Sequence, residues 1–114
     1  MNVVIYARYS SYGQNEQSIE GQLKECREYA EKNGYKPIRE YIDRAKTGTK
    51  DNREQFLKMI EDSKKKDFSG VIVYQLDRFA RNKYDSAIYK KQLKDRGVRV
   101  LSAKENISNL LEVL

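Results

Sequence analysis

Apolar residues follow two rhythms along this chain, short unbroken runs and stripes at helical spacing, and the two alternate. Residues 3–7, Val-Val-Ile-Tyr-Ala, form a continuous β-branched run, the pattern of a buried strand. From Ser18 to about Asn33 the apolar positions are Ile19, Leu23, Cys26 and Ala30. That spacing marks one face of a helix, and Gly34 is its natural stop. Pro37 to Ile42 predicts a second strand, placed at a sheet edge because proline lacks a ladder donor. The polar, turn-rich stretch 43–52 predicts a loop. A helix then runs from about Arg53 to Lys66 on Phe56, Leu57 and Ile60. Gly70 to Tyr74 is the most strand-like stretch of all. A third helix from about Lys83 to Arg96 uses Tyr84, Ala87, Ile88 and Leu93 and stops at Gly97. Val98 to Leu101 supplies a fourth strand.

The resulting order, β-α-β-α-β-α-β, predicts an α/β fold with three layers, α/β/α, around a mostly parallel sheet of four or five strands. No internal repeat, low-complexity tract or linker divides it, so the pattern is that of one domain. In such sheets ligands gather outside the carboxyl ends of the strands. Function is therefore expected just after the first three strands.

Composition narrows the chemistry. The 114 residues suit a single domain, and Lys and Arg outnumber Asp and Glu by 23 to 17, a formal charge of +6 that favours an anionic partner. Hydrophobic residues make up 39% and charged residues 35%, so the expected core is small under a densely charged surface. The absence of histidine excludes His-dependent catalytic triads and His-ligated metal sites. Cys26 is the only cysteine, which excludes an internal disulfide framework and a Cys-clustered zinc site. No apolar run is long enough to span a bilayer and no signal peptide is evident, so a soluble, cytoplasmic protein with no membrane partner is expected.

Three segments follow the first three strands. They are Arg8-Tyr9-Ser10-Ser11, the loop with Asp43, Arg44, Thr47 and Gly48 leading to Arg53, and Asp77-Arg78-Phe79-Ala80-Arg81. On one edge of a parallel sheet they would gather a serine hydroxyl, several guanidiniums and a carboxylate. Guanidiniums match phosphate oxygens in a bidentate fork and can stabilise charge on an in-line displacement. A serine hydroxyl in that field deprotonates more readily. The chemistry suggested is phosphoryl transfer to serine. Taken singly, each residue also has an ordinary reading. Ser10 and Ser11 can line a loop, Asp77 can cap a helix, and Arg78 and Arg81 can sit on a solvated face. Cys26 lies on the first helix's apolar stripe as a core residue, and Lys64 to Lys66 suit a helix C-terminus.

The combination of Tyr6-Ala7-Arg8-Tyr9-Ser10 with Leu76-Asp77-Arg78-Phe79-Ala80-Arg81 resembles the catalytic domain of the serine recombinases, the resolvase/invertase family. The Thr47-Gly48 pair ahead of Asp51-Asn52-Arg53 is similar to that family's middle signature. The resemblance implies a resolvase-like fold over residues 1–107 as the catalytic domain. It also implies a site-specific recombinase that cleaves and rejoins DNA through a 5′-phosphoserine intermediate during integration, excision or inversion. In it Ser10 matches the nucleophile. Arg8, Arg53, Arg78 and Arg81 match the arginines around the scissile phosphate, Asp77 an acidic partner, and Gln22 and Thr47 supporting residues. No metal or other cofactor is implied. The implied partners are a double-stranded recombination site and further copies of the chain, as a homodimer and a synaptic homotetramer. The long middle loop and the nine tyrosines look more like the large serine recombinases of phages and conjugative elements.

The resemblance further implies that residues 108–114 are the start of a dimerisation helix cut short. The direct passage from Ser108 to Asn109 lacks an expected connecting loop, which suggests a piece of a longer protein. Two other classes compete. One is a non-catalytic basic α/β module that binds phosphate or DNA. The other is a nucleotide-binding or phosphotransfer domain, disfavoured because no glycine-rich phosphate loop occurs.

Overall fold

Every residue from Val3 to Arg8 is buried, and alternate side chains of this run enter two separate cores. The computed structural model describes residues 1–8, 16–44, 53–75, 79 and 83–104. Among these, the elements are β1 (Asn2–Arg8), α1 (Glu16–Lys32), β2 (Lys36–Asp43), α2 (Glu54–Asp62), β3 (Gly70–Val73), α3 (Lys83–Asp95) and β4 (Arg99–Ser102). They match the predicted series, with ends differing by a few residues.

Strand alternation assigns the layers. Val3, Ile5 and Ala7 pack with Ile72, Leu101 and the α1 stripe of Ile19, Leu23, Cys26 and Ala30. Val4 and Tyr6 face the opposite way, into a core with Tyr41, Phe56, Met59, Ile60, Val73 and Leu93. Helices thus cover both faces of the sheet, as the unbroken apolar runs require.

The sheet has four strands in the order β2-β1-β3-β4, every pair parallel. The chain leaves β1 for β2 on one side, then crosses back to β3 on the other. The order therefore reverses at β1, where open α/β sheets form a crevice at the strands' carboxyl ends. Pro37 lies in β2, an edge strand as expected. Val3 pairs with Pro37 and Val4 with Arg39, so Ile38 is an extra residue in a bulge beside the proline.

Gly34 (φ 74°) and Gly97 (φ 79°) take the left-handed conformation that ends α1 and α3. The Tyr35 N–H donates back to the Ala30 carbonyl at 2.8 Å, and the Val98 N–H to the Leu93 carbonyl at 2.8 Å. The second helical stretch covers the expected span and changes character near its end. Its α-helical part ends at Asp62 and tightens into a 3-10 turn over Ser63–Lys65. Arg96 helps satisfy this end: its Nη1 donates to the Ile60 carbonyl at 2.7 Å and to Ser63 Oγ at 2.9 Å. A cation from the end of α3 thereby satisfies the last turn of α2.

Candidate active site

Arg8 and Asp43 are register partners at the carboxyl ends of β1 and β2, and both are buried. The Asp43 carboxylate accepts three hydrogen bonds. The Tyr6 hydroxyl donates to Oδ2 at 2.8 Å, the Phe56 N–H to Oδ2 at 3.0 Å, and the Gln55 N–H to Oδ1 at 2.9 Å. Gln55 and Phe56 are the second and third residues of α2, so Asp43 caps that helix from the end of another element. Its negative charge lies at the positive end of the helix dipole. Arg53, at the helix's own N-cap position, makes no side-chain capping bond.

Tyr6 connects this carboxylate to the arginines. Burial pushes its hydroxyl above the ordinary value of 10, and the neighbouring Asp43 charge pushes it further, while Arg8 and Arg53 act in the opposite direction. Tyr6 is thus held neutral as a hydrogen-bond donor. Both guanidiniums are near enough to be felt at its oxygen.

The Arg53 side chain is seated on aromatic rings. Its Cζ lies 4.2 Å from the Phe56 ring centroid and 5.6 Å from that of Tyr89. Its Nη2 donates to the Phe79 carbonyl at 3.4 Å, which joins the head of α2 to the segment following β3. Phe56 is the hub, meeting Tyr6 at 5.2 Å, Phe79 at 5.2 Å and Tyr89 at 5.0 Å, all edge to face. On the opposite face Gln22 of α1 grips the backbone of Arg8. Its Nε2 donates to the Arg8 carbonyl at 3.0 Å, and its Oε1 accepts from the Arg8 N–H at 3.4 Å.

Of the residues singled out in the sequence, Arg8 and Arg53 are linked through Asp43, the register partner of the first and the cap of the helix that the second opens, and Gln22 supports Arg8 from behind. Ser10, Thr47, Asp77, Arg78 and Arg81 lie outside the described residues. Arg44, the other arginine of the middle segment, is exposed just beyond β2, whereas Arg53 is partly buried against Phe56. Sequence reasoning missed the Tyr6–Asp43 pair. Tyr6 reads as strand core and Asp43 as the start of a loop, and their 37-residue separation leaves no local signal. Among the described residues no three acidic or cysteine side chains group as a metal site, and no helix is long and apolar enough to cross a membrane.

A parallel sheet that brings arginines to its switch point around a buried carboxylate defines an α/β domain suited to an anionic ligand. A family model described as the resolvase N-terminal domain matches residues 3–111. The chain belongs to the resolvase family, as a serine recombinase catalytic domain.

Solved structures agree. A resolvase family site-specific recombinase from Streptococcus pneumoniae is 32% identical with a TM-score of 0.82, the match covering 99% of this chain and 87% of that one. The N-terminal catalytic domain of TP901-1 integrase is 27% identical, with a TM-score of 0.78 and coverage of 99% and 89%. The C-terminal catalytic domain of the ISC1926 TnpA, an IS607-like serine recombinase, is 26% identical, with a TM-score of 0.78 and coverage of 99% and 77%. No curated protein shows significant sequence similarity to the chain. The predicted α/β/α fold of resolvase type is thus the observed one, with four strands among the described residues.

Proposed function

We propose that this domain cleaves and rejoins duplex DNA at a recombination site, with Ser10 as the nucleophile. The Ser10 hydroxyl oxygen attacks the phosphorus and gives up its proton. An Oγ–P bond forms, the bond from phosphorus to the 3′ oxygen breaks, and that oxygen takes up a proton to leave a 3′-hydroxyl. The 5′ end remains joined to serine. Attack by a 3′-hydroxyl of another strand reverses the step. The phosphoester is conserved throughout, so rejoining draws on no high-energy cofactor.

Arg8, Arg53, Arg78 and Arg81 hold the phosphate and stabilise its equatorial oxygens, Asp77 orders that set, and Gln22 and Thr47 support it. Residues 1–107 form the catalytic unit and 108–114 open a dimerisation helix. DNA exchange proceeds in a tetramer of two dimers, in the cytoplasm, on DNA of a mobile element. The observation that carries the reading is the placement of Arg8 at the carboxyl end of β1, paired with the Asp43 that caps the helix Arg53 opens, at the switch point of a resolvase-family fold.

The test is a cleavage trap with the full-length enzyme and DNA carrying its recombination site. The expected product is protein joined covalently to a 5′ DNA end, abolished by Ser10→Ala with DNA binding retained. An adduct formed by the alanine variant would refute the assignment of Ser10. Arg53→Lys is expected to bind DNA yet cleave poorly, because a point charge does not reproduce the bidentate fork.

A further inference from the structure

Tyr89 stands on α3, outside all three signature segments, yet its ring faces the same guanidinium that Phe56 carries. The rings of Phe56 and Tyr89 meet at 5.0 Å with planes 85° apart, which forms a corner. Arg53 occupies that corner, 4.2 Å and 5.6 Å from the two centroids, and the Phe79 carbonyl holds one of its nitrogens. A guanidinium is planar, delocalised and weakly hydrated, so it stacks on aromatic faces where an ammonium would stay in water. Arginine also has many rotamers, and left unrestrained it would meet a phosphate from many directions. A two-ring corner with a carbonyl on the third side removes most of that freedom before any ligand arrives.

We propose that Tyr89 is a positioning residue for Arg53. Its ring, together with Phe56, sets the direction in which the guanidinium is presented to a phosphate. The inference rests on reading Arg53 as a phosphate-holding arginine. It also gives α3 a part in the site. This helix begins at Lys83, two positions after Arg81, so the element that follows the third signature segment also supplies one wall of the Arg53 seat. Phe56 is fully buried in the core, whereas Tyr89 is only partly buried, so the Tyr89 ring can be changed without emptying the interior.

The experiment follows the Arg53 Nε–H resonance in labelled protein, assigned by its loss in Arg53→Gln. Aromatic faces shield a proton stacked on them, so the wild-type signal is expected upfield of an exposed arginine. Tyr89→Phe keeps the ring and is expected to hold both the resonance and the affinity for inorganic phosphate, read at the backbone amides of β1. Tyr89→Leu is expected to move the resonance downfield and to weaken phosphate binding about fivefold, the size of a partly exposed cation–π contact. Tyr89→Met serves in the same role should the leucine variant not fold. An Arg53 resonance unmoved in the leucine or methionine variant overturns the proposal, as does loss of the wild-type signal position in Tyr89→Phe. Equal phosphate affinity of wild type and Arg53→Gln would instead remove the phosphate-holding role of Arg53, with the resonance still deciding whether Tyr89 positions it.

Discussion

Replacing Asp43 by asparagine tests the cap that holds the head of α2 against β1. The carboxylate accepts from the Tyr6 hydroxyl and the Phe56 N–H on Oδ2, and from the Gln55 N–H on Oδ1. An asparagine can keep its oxygen on only one of these two positions. With the oxygen in place of Oδ2, its NH₂ group faces the Gln55 N–H, donor against donor. A buried donor left without an acceptor costs about 1–3 kcal/mol. Loss of the negative charge from the helix N-terminus costs roughly 1 kcal/mol more in a partly buried setting. The expected loss is about 2–4 kcal/mol, or roughly 8–16 °C at about 4 °C per kcal/mol for a chain of this size.

Tyr6→Phe is the milder companion. It leaves both backbone donors on the carboxylate and keeps the ring that meets Phe56 edge to face at 5.2 Å. Its expected cost is about 1 kcal/mol. Because an asparagine oxygen in place of Oδ2 still accepts from the Tyr6 hydroxyl, the two changes remove different hydrogen bonds, and the double variant is expected to lose about the sum of the two single losses. Thermal melts followed by circular dichroism, supported by urea titration, measure all three. An Asp43→Asn variant that melts within about 2 °C of wild type would refute the capping argument.

Further outcomes follow from the same geometry. Tyr6 is raised above its unfolded value, so its contribution is fully present below about pH 10 and fades as pH rises beyond it. Between pH 9 and 11 wild type should therefore lose about 1.4 kcal/mol more stability than Tyr6→Phe, measured by urea unfolding, and parallel pH curves would contradict this. Cys26 is fully buried and its thiol is pushed up to about 12, so labelling by a thiol reagent at neutral pH should run at least about 1,000-fold slower than in unfolded protein. Rapid labelling under native conditions would show that the α1 face opens locally. Arg96→Ala removes the donor to the Ile60 carbonyl and to Ser63, with an expected loss of about 1–2 kcal/mol in chemical denaturation, and an unchanged midpoint would deny Arg96 its capping role.

What was legible in the sequence was whatever depends on near neighbours. The β1 run is apolar at every position because the strand is covered on both faces, and Gly34 and Gly97 mark helix ends because only glycine takes their backbone angles without strain. The expected end near Lys66 is where the helical stretch stops, but its tightening from α to 3-10 after Asp62 has no signal in the apolar spacing. Arg96, more than 30 positions later, is one of the partners that satisfy this end. The site divides in the same way. Arg8 was visible as a polar residue closing an apolar strand, and Gln22 entered by family resemblance alone. The Tyr6–Asp43 bond and the Arg53–Tyr89 contact span 37 and 36 residues, distances over which no spacing rule operates.

The Tyr6–Asp43 pair also bears on why the proposed reaction relies on arginines. In many open α/β sheets the helix N-terminus at the switch point is the anion site, because its N–H groups point at the ligand. Here the Gln55 and Phe56 N–H groups of α2 are already occupied by the protein's own carboxylate. A phosphate at this edge would find the helix's positive end satisfied and a buried negative charge behind it. Attraction has to come from side chains, and Arg8 and Arg53 are the guanidiniums felt at the Tyr6 hydroxyl beside Asp43. Guanidiniums suit that duty better than backbone amides in the proposed reaction. They keep their charge at every working pH and can follow a phosphate as its bonds change partners. The cap therefore fixes the helix that carries Arg53, and by filling the amide site it leaves phosphate recognition, in the proposed reaction, to arginine.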